Sequence, residues 1–587
     1  MSLVNIKIEG QPYQVEAGLT ILEAAKACGY EIPSLCAFNH GECNQGSCRV
    51  CLVEATGARG LVASCVYPVA EGMEIKISSP AAVQARRRSV ELMLSNHNKN
   101  CQQCDKNGQC ELLHVAQITG AREDAFQGVH SETHIDTLAP GLIRDTSKCI
   151  LCGRCIARCS NAHGMGILGF ENRGFATFVS PAENRSFADS PCIQCGQCVN
   201  VCPTGALMEH SEIDKVDAAF KAGKHVIVQA APAVRAAIGE EFDNPVGTPC
   251  TGKMIAALRR LGFERVYDVN FGADLTIMEE GTELLGRLQN GGVLPMITSC
   301  SPGWIKYIEY EYPELLPHLS TSKSPHMMFG AIVKSYWAKQ HGVDPKDIYV
   351  VSIMPCIAKK SEIMRPENKT AEYVDVDAVL TTRELGRLIK LYGIEFNDLP
   401  DEEFDQDLLG DYTGAAVIFG ATGGVMEAAL RTVKQQLDGK PLEKVDFEAC
   451  RGMAGVKEAE IDLNGTKIWI AIASSMTCAK PLLEEVKAGT SKYTFIEIMG
   501  CPGGCVNGGG QSIVPSKIKN GPLGYGYKEL RMKALYDEDE ACKLRVSSDN
   551  PQIQKLYSDF LEKPGSEIAE ELLHTSYSPK QKFHIFD

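Results

Sequence analysis

The sequence has no run of about 18 apolar residues, the length that a membrane-spanning helix needs, so no transmembrane segment is expected. Its first residues, MSLVNIKIEG, contain neither the basic head nor the apolar core of a secretion signal, which favours a cytoplasmic location. An excess of positive charge is also missing: the formal net charge is −15, which argues against a nucleic-acid partner. We assign no GxGxxG dinucleotide fingerprint to the chain, so a nicotinamide site would have to lie on another protein.

Cysteine, by contrast, is abundant, with 25 residues in a chain of 587. A chain this long is expected to form roughly three to five domains. A reducing compartment disfavours disulfides, and the cysteine spacings are typical of metal ligands. Six cysteines belong to no motif, and we expect them to be small, buried and unreactive. They are Cys28, Cys43, Cys250, Cys450, Cys478 and Cys542.

Residues 1–79 are predicted to form a small domain around a metal centre. Two short alternating segments, at 4–8 and 13–15, indicate strands, and residues 20–27 indicate a helix. Four cysteines follow in the pattern C-x11-C-x2-C-x13-C, which suits a 2Fe–2S centre and its soft ligands. The alternative is a structural zinc site. The ligands would be Cys36, Cys48, Cys51 and Cys65.

Residues 80–125 contain a second motif, H-x3-C-x2-C-x5-C, which follows a segment predicted to be helical at 88–94. A zinc ion also accepts three cysteines and one histidine as ligands, so a zinc site is the alternative interpretation of this motif. The position of this motif between two iron–sulfur signatures favours a cluster. The candidate ligands are His97, Cys101, Cys104 and Cys110.

Residues 139–209 carry the strongest signal, because C-x2-C-x2-C-x3-C occurs twice and Pro203 follows the second run. This is the pattern of two-cluster bacterial ferredoxins, in which the fourth cysteine of each run binds the other cluster. One 4Fe–4S set would be Cys149, Cys152, Cys155 and Cys202. The other would be Cys192, Cys195, Cys198 and Cys159.

From residue 210 the pattern changes to apolar strand-like runs that alternate with helical segments, which predicts an α/β domain with largely parallel sheets. Four cysteines follow the ends of such runs, where ligands of these sheets bind. Nearby glycines would let the backbone approach a bulky cluster closely. The predicted strands are 225–231, 266–269, 294–297, 349–354, 375–380, 415–419, 468–472 and 495–499, with helices at 235–242 and 425–437. The four cysteines are Cys300, Cys356, Cys501 and Cys505.

Three segments of this half, TSCSPGW, MPCIAKKSE and EIMGCPGGCVNGGGQ, resemble the signatures of FeFe hydrogenases. FGATGGVMEAALR and FGADLTIMEEGTELLGR resemble further stretches of that family. The N-terminal motifs resemble those of the large iron–sulfur subunit of complex I and of long FeFe hydrogenases. With these motifs the resemblance covers nearly the whole chain, and it is to the long clostridial ferredoxin hydrogenases.

The resemblance implies a multidomain α/β and α+β protein. Its parts would be a β-grasp 2Fe–2S domain at 1–79, a His-ligated 4Fe–4S domain at 80–125 and a two-cluster ferredoxin-like domain at 139–209. An α/β H-cluster domain would cover 210–524, and a helical segment like the small subunit of these enzymes would cover 525–587. In the last segment, helices are predicted at 550–561 and 567–573, and no role in chemistry is expected of it.

The resemblance also implies the H-cluster, a 4Fe–4S cubane joined through one cysteine to a two-iron unit that carries CO, cyanide and a bridging dithiolate amine. Cys505 matches the bridging cysteine, and Cys356 and Cys501 match cubane ligands. Met354 and Met499 match residues that pack on the two-iron unit. Lys359 matches a lysine that hydrogen-bonds a cyanide, a sensible pairing for a buried ammonium. Without the resemblance, Met354 and Lys359 would be read as a core methionine and a solvated lysine.

A proton path is implied as well. Glu280 and Glu283 lie three residues apart on a predicted helix and so share a face. The alternative, a solvated acidic face, is about equally compatible with the sequence. The residues that match the family's path are Cys300, Glu280, Ser320, Glu283 and Arg287.

The chain departs from the family at three positions. His326 stands where close relatives often have glutamine, and Ala233 where some have serine. Ser301 replaces the second cysteine of TSCCP, which ligates the cubane, while Cys300 matches the proton relay. Either Ser301 ligates iron through oxygen, a poor match, or Cys300 shifts to ligation, or one iron is open or water-bound. Altered or reduced turnover is expected in each case.

The implied activity is the reversible reduction of protons to hydrogen, with ferredoxin or a similar carrier as electron donor and with maturation factors that install the H-cluster. One alternative is a subunit of a larger enzyme that receives NAD(P)H electrons through flavoprotein subunits. Another is a sensory or low-turnover iron–sulfur protein of the same fold. A complex I-type subunit would explain only the first 210 or so residues.

Overall fold

The computed structural model describes residues 2–38, 42–519 and 526–582. The chain divides into two compact units. The first comprises the described residues of Met1–Ser190, Gln197–Met208 and Pro515–Gly524, and the second those of Pro191–Gly196, Glu209–Val514 and Tyr525–Asp587. Among these described residues, no helix is long and apolar enough to cross a bilayer.

The first unit begins with a five-stranded mixed sheet. Leu3–Ile8 pairs antiparallel with Gln11–Glu16 and parallel with Glu74–Lys76. The strand alternates, with Ile6 and Ile8 buried, which is the period-two pattern that the sequence showed. The other strands are Leu52–Ala55 and Val62–Ala63.

The predicted helix in this part is also present and spans Ile21–Ala27. Thr20 and Glu23 form a capping box, in which each side chain accepts the other residue's backbone N–H. The remaining helices of the unit are Pro80–Asn96, Glu111–Thr119, Arg154–His163 and Ser516–Lys519. Its short strands are Ile135–Asp136, Leu142–Asp145, Gly169–Glu171 and Phe178–Ser180, and Leu207–Glu209 continues into the second unit.

The second unit contains two four-stranded sheets. The first is fully parallel, in the order Arg265–Asp268, His225–Ala230, Ile348–Met354, Ala378–Thr381. Its strands are buried along nearly their whole length, as expected for a parallel sheet covered on both faces.

The second sheet has the order Met296–Ile297, Phe495–Met499, Thr466–Ser474, Val456–Leu463. The first three strands are mutually parallel, and the last pairs antiparallel as a hairpin. A small hairpin joins Lys369–Thr370 and Tyr373–Val374. Largely parallel sheets are therefore confirmed, and they bring several strand ends to one edge of each sheet.

Helices surround both sheets. They are Ile213–Lys221, Pro232–Arg235, Thr251–Leu261, Asn270–Asn290, Pro302–Glu311, Pro325–Ile332, Ala338–His341, Lys359–Glu362, Thr382–Leu391, Gly414–Val417, Gly424–Asp438 and Met476–Lys487. The C-terminal segment adds Gly526–Ala541, Pro551–Leu556 and Glu567–Leu573, with a π-helical turn at Tyr557–Leu561. The helix Gly526–Ala541 was not predicted.

One strand prediction is wrong. The run 415–419 forms the helix Gly414–Val417 and the 3-10 turn Ile418–Gly420. Every residue of this run is buried, so the sequence carries no alternation that distinguishes a buried helix from a buried strand. Two other predicted strands are shorter than expected: 375–380 begins only at Ala378, and 294–297 is reduced to Met296–Ile297.

Candidate iron–sulfur centres and catalytic site

The four cysteines predicted to hold the 2Fe–2S centre converge in the first unit. The Cys36 thiol contacts Cys48 and Cys65, and Cys51 contacts Cys65. All four are buried. Cys43 stands apart, because its thiol donates to the carbonyl of Cys152 at 3.8 Å. Burial raises the pKa of Cys43 to about 11, as expected for an inert thiol outside the set.

The His97 motif combines a helix end with two turns. His97 follows the helix Pro80–Asn96, Cys101 and Cys104 flank a 3-10 turn, and Cys110 caps the helix Glu111–Thr119. The buried Nδ1 of His97 has no hydrogen-bond partner. Burial lowers the pKa of His97 to about 4, so the ring is neutral. A neutral imidazole with an unsatisfied buried nitrogen fits a metal-ligand role.

The first ferredoxin run also forms a common site. A cavity in the first unit is lined by Cys149, Cys152, Cys155 and Cys202. Cys202 belongs to the second run, so the structure brings together the crossed set that the sequence suggested. The backbone N–H of Leu151 points at the Cys149 sulfur at 3.4 Å, which stabilises a thiolate.

The second run repeats this local backbone. Leu151 and Gln194 both have positive φ, 54° and 52°, and the following glycines, Gly153 and Gly196, have φ of 75° and 73°. The N–H of Gln194 points at the Cys192 sulfur at 3.4 Å, as Leu151 does in the first run. The equal geometry supports an internal repeat.

Cys192 and Cys195 belong to the second unit and lie beside its cysteine loops. A Cβ added to Gly509 would collide with the carbonyl oxygen of Cys195, and one added to Gly196 would lie 2.5 Å from the Ile357 side chain. Ile357 directly follows Cys356. This accessory loop therefore packs against two of the segments that resemble the hydrogenase signatures.

The catalytic cysteines follow strand ends, as predicted. Cys300 and Cys501 follow the neighbouring strands Met296–Ile297 and Phe495–Met499, whereas Cys356 follows Ile348–Met354 of the other sheet. Burial, together with the nearby Cys356, raises the pKa of Cys505 to about 12. Two sheets thus contribute cysteines to one region.

Glycines make this convergence possible. A Cβ on Gly504 would lie 2.6 Å from the Thr422 nitrogen, and one on Gly508 would collide with the Pro355 carbonyl. The N–H of Gly510 donates to that same carbonyl at 2.8 Å. The loop after Cys505 is therefore pressed against the loop before Cys356, and no side chain fits between them.

Ser301 lies at the start of the helix Pro302–Glu311. Its hydroxyl accepts the N–H of Gly500 at 3.1 Å, one residue before Cys501. The serine therefore faces the turn that carries a candidate cubane ligand. Met354 and Met499 end their strands, each 3% exposed, and so are buried as a packing role requires.

Lys359 belongs to a buried polar network. Its Nζ donates to the Cys300 carbonyl at 3.2 Å and lies 2.7 Å from Oε2 of Glu362. The same oxygen lies 2.7 Å from Nε2 of His326. Although burial opposes ionisation, Lys359 and His326 hold the pKa of Glu362 at about 2.

The tautomer of His326 follows from its neighbours. The Gln229 amide donates to the Ser352 hydroxyl at 2.9 Å, so this hydroxyl can donate to Nδ1 of His326, 3.1 Å away. Nε2 then carries the proton and donates to Glu362. Burial lowers the pKa of His326 to about 4, which keeps the ring neutral.

The proton-path candidates lie together on and around the helix Asn270–Asn290. The Ser320 hydroxyl donates to Glu283 at 2.9 Å and is also within hydrogen-bond reach of Glu280. Arg287 pairs with Glu283 at 2.6 Å. Burial, together with the charge of Glu283, raises the pKa of Glu280 to about 8. Burial also raises the pKa of Cys300 well above its ordinary value, with Glu280 as the next cause.

Sequence reasoning missed several functional candidates. Glu497 is fully buried and accepts the N–H groups of Gly423 and Met426 at 2.6 and 2.7 Å, which fixes the start of the helix Gly424–Asp438. A carboxylate inside the apolar strand FIEIM was the available signal. Glu362 and His574 lie near these sites as well, but their contacts with His326 and Thr321 join residues that are too distant in sequence to be seen from a pattern.

A GxGxxG spacing occurs in the chain outside the context of a dinucleotide site. GMGILG at 164–169 has GxGxxG spacing. It follows the helix Arg154–His163 and precedes the strand Gly169–Glu171, which is the reverse of the order in a dinucleotide site.

The residues present fit iron–sulfur groups better than single ions. Across residues 2–38, 42–519 and 526–582, no group of three or more His, Cys, Asp or Glu has the geometry of a single-ion site. The cavity with four cysteines, the unpartnered His97 nitrogen and the glycine-lined catalytic loops suit larger thiolate-bound clusters. The fold and sites together define an oxidoreductase with several iron–sulfur centres.

Comparison with known proteins identifies the family. The profile of the iron only hydrogenase large subunit, C-terminal domain, matches residues 224–509, and that of the iron hydrogenase small subunit matches 526–580. A 2Fe-2S iron-sulfur cluster binding domain matches 2–80, the NADH-ubiquinone oxidoreductase-G iron-sulfur binding region 86–124, and a 4Fe-4S dicluster domain 148–206. The chain belongs to the family of iron-only (FeFe) hydrogenases, which are oxidoreductases acting on hydrogen.

Similarity to individual proteins supports the same family assignment. The chain is 47% identical to the NADP-reducing hydrogenase subunit HndD of Solidesulfovibrio fructosivorans, over 99% of this chain and 100% of that protein. It is 40% identical to iron hydrogenase 1 of Clostridium pasteurianum, over 98% and 99%. A variant of the FeFe-hydrogenase HydA1 from Chlamydomonas reinhardtii aligns with a TM-score of 0.55 and 39% identity, covering 63% of this chain and 99% of that one.

Proposed function

We propose that the chain catalyses the reversible reduction of protons to molecular hydrogen at an H-cluster held by Cys356, Cys501 and Cys505. The observation that carries this proposal is the approach of cysteine loops from two sheets beside a buried thiol and carboxyl, Cys300 and Glu280. The bound H-cluster would supply the redox chemistry. The chain supplies thiolate ligands, fixed charge and a route for protons.

The ligand roles follow the family pattern. Cys505 would bridge the cubane and the two-iron unit, with Met354 and Met499 packed against the latter. Three arrangements fit the fourth cubane position: ligation by Ser301, ligation by Cys300, or an open or water-bound iron. The Gly500–Ser301 hydrogen bond supports a serine side chain that already faces this position.

Lys359 would pair with a cyanide of the two-iron unit. Its buried ammonium is held by Glu362 and the Cys300 carbonyl, which leaves a donor for an anionic ligand. His326 supports the arrangement by donating to the same Glu362 oxygen. In this way the histidine acts on the site only through its neighbours.

Protons would move between Glu283 and Cys300 through Ser320 and Glu280. The Ser320 hydroxyl lies within reach of both carboxyls. A pKa of about 8 lets Glu280 hold and release a proton near neutral pH, which is the requirement for a relay group. Cys300 would exchange that proton with the bound cluster.

Four accessory centres would supply electrons: one 2Fe–2S and three 4Fe–4S, one of them with His97 as a ligand. The five proposed domains are 1–79, 80–125, 139–209, 210–524 and 525–587. The contact between Gly509 and Cys195 supports electron transfer from the last accessory centre to the cubane. Ferredoxin or a similar low-potential carrier would be the donor, and maturation factors would install the H-cluster.

Hydrogen evolution tests the proposal. Anaerobically matured protein should evolve hydrogen with reduced methyl viologen, and Cys505→Ala should abolish this while the accessory clusters remain visible by absorbance. Cys478→Ala changes a cysteine outside the motifs and should retain activity. Fully loaded wild-type protein without hydrogen evolution would contradict the proposal.

A second candidate is the catalytic subunit of an NAD(P)-linked, multisubunit hydrogenase. It is favoured by the full-length similarity to a protein named as a subunit of an NADP-reducing enzyme. Purification under anaerobic conditions with a tag on this chain tests it. Copurified flavoprotein subunits that make hydrogen evolution dependent on NADPH would support it, and an isolated chain active with ferredoxin would support the first proposal.

A sensory or low-turnover role rests on Ser301 alone. Ser301→Cys restores the usual thiolate and should change the electron paramagnetic resonance signal of the cubane and raise turnover. An unchanged signal and unchanged turnover would show that this position does not limit the enzyme.

A further inference from the structure

The proposed proton path runs outward to Glu283 and Arg287, whose side chains are 15% and 13% exposed. Glu283 is its outermost carboxylate, and Arg287 is the residue beyond it. A guanidinium has only N–H donors and no acceptor for an incoming proton, so Arg287 holds Glu283 in place but does not relay protons to it. A neighbouring group that titrates near neutral pH would give Glu283 a partner that can take up and release protons.

The C-terminal segment places such a group there. Nδ1 of His574 lies 2.8 Å from the Thr321 hydroxyl, and this hydroxyl lies 3.3 Å from Oε2 of Glu283. The backbone holds the arrangement, because the N–H of Thr575 donates to the Thr321 carbonyl at 2.8 Å. The imidazole, the hydroxyl and the carboxylate thus form a continuous hydrogen-bonded line.

An exposed carboxylate, Glu570, lies next to the imidazole end of this line. Its carboxylate lies 3.8 Å from Nδ1 of His574, and its side chain is 58% exposed. His574 itself is only 7% exposed on its side chain. An exposed carboxylate next to a nearly buried imidazole is a suitable point of proton uptake from water.

We propose that His574, together with Thr321, forms the solvent-side arm of the proton path and delivers protons to Glu283. The inference rests on the proposed hydrogenase function. In one transfer the Nδ1–H bond of the imidazolium breaks, and its proton binds the Thr321 oxygen. The original hydroxyl proton of Thr321 passes to Glu283. The neutral imidazole then takes up a proton from a solvent hydronium ion beside Glu570, which leaves water, so Glu283 has gained the one proton that the solvent has lost.

The charges around the ring favour its protonated form. Glu279 faces Nε2 at 3.1 Å, and its other contacts are the Tyr557 hydroxyl at 2.5 Å and the Gly565 N–H at 2.9 Å. Burial opposes ionisation, but Glu279, Glu570 and Glu283 together raise the pKa of His574 above its ordinary value. The segment that was expected to have no role in chemistry therefore supplies a titrating group.

The experiment must distinguish proton transfer by His574 from a purely structural role, since His574 also links the C-terminal segment to the helix Asn270–Asn290. His574→Gln can retain a hydrogen bond without titrating. Thr321→Val removes the hydroxyl and keeps the imidazole. His225→Gln is the matched control, because His225 pairs with Glu264 at 2.8 Å on an exposed surface.

The experiment measures hydrogen evolution by loaded protein with reduced methyl viologen from about pH 6 to about pH 9, in H₂O and D₂O. His574→Gln and Thr321→Val should each lower turnover about 10-fold below the pKa of His574 and increase the solvent isotope effect. Hydrogen evolution by the wild type should decline with rising pH as the imidazole deprotonates, and both variants should lack this decline. His225→Gln should follow the wild-type profile.

Thermal unfolding gives a readout that does not depend on activity. A pKa raised by folding stabilises the folded state below the unfolded pKa, and this contribution is lost as pH rises through the folded pKa. The Tm difference between wild type and His574→Gln should therefore be larger near about pH 6 than near about pH 9.

If both variants show the same pH profile of hydrogen evolution and the same solvent isotope effect as the wild type, the inference is overturned. This holds even if their Tm falls, because a purely structural role of His574 would change only Tm. Such a result would leave the proposed function intact as long as the wild type evolves hydrogen. A wild type that evolves none would instead contradict the proposed function.

Discussion

Two glutamates one helical turn apart, Glu280 and Glu283, have different environments. Glu283 is paired with Arg287 at 2.6 Å and accepts the Thr321 N–H at 3.0 Å, so its carboxyl group is held in position. Glu280 has no cationic partner at hydrogen-bond distance among the described residues and is 2% exposed. The two carboxyl groups of the path therefore differ in their surroundings: Glu283 is positioned by a cation and a backbone N–H, and Glu280 is buried without a cation at hydrogen-bond distance.

Glu280→Gln should lose at least about 100-fold in hydrogen evolution, because the amide cannot carry a proton through the path. Although the variant loses activity, its stability relative to the wild type should increase at high pH. The pKa of Glu280 rises to about 8 in the folded state, so its contribution to stability is present at low pH and lost as pH rises through that value. The Tm of Glu280→Gln relative to wild type should therefore increase between about pH 5 and about pH 9. A pH-independent Tm difference would contradict the assigned environment.

His326 provides a second test at the residue scale. His326→Gln keeps an amide N–H for Glu362 and should leave the Lys359 arrangement intact. His326→Leu removes the donor from a buried carboxylate and should destabilise the protein by roughly 1–3 kcal/mol. Infrared bands of the cyanide ligands should shift in the leucine variant only. Equal shifts in both variants would show that the hydrogen bond to Glu362 does not matter.

At the scale of elements, strand ends were the most predictable feature. Apolar runs followed directly by Cys300, Cys356 and Cys501 are strands, and Phe495–Met499 has the bounds that the sequence indicated. The two predicted carboxylates lie on one helix, as their spacing indicated. The run 415–419 was misjudged because complete burial removes the periodicity on which such a prediction depends.

The glycine loop after Cys505 gives a prediction at this scale. Gly508→Ala would place a methyl group against the Pro355 carbonyl and should destabilise the protein by about 1–3 kcal/mol and lower its iron content. Gly286→Ala is the matched control, because a Cβ there meets nothing within 4 Å and the residue lies inside the helix Asn270–Asn290. The control should be neutral or stabilising by about 0.5–1 kcal/mol. Equal Tm values for the two variants would contradict the close approach of the loops.

At the scale of the whole molecule, residues within local motifs could be predicted from the sequence, whereas contacts between residues far apart in the sequence could not. Each accessory set lies within a short stretch or a repeated run, so spacing alone suggested its ligands. His574 and Thr321 are 253 residues apart, and no pattern connects them. The same holds for His326 and Glu362, which lie on the helices Pro325–Ile332 and Lys359–Glu362 of the same unit.

The central claim is that this chain holds an H-cluster at the convergence of its cysteine loops. The infrared spectrum of anaerobically matured protein tests it most directly. The account predicts bands of iron-bound CO and cyanide in wild-type protein and their absence in Cys505→Ala. Wild-type protein that carries its iron–sulfur clusters, was coexpressed with maturation factors and shows no such bands would contradict it.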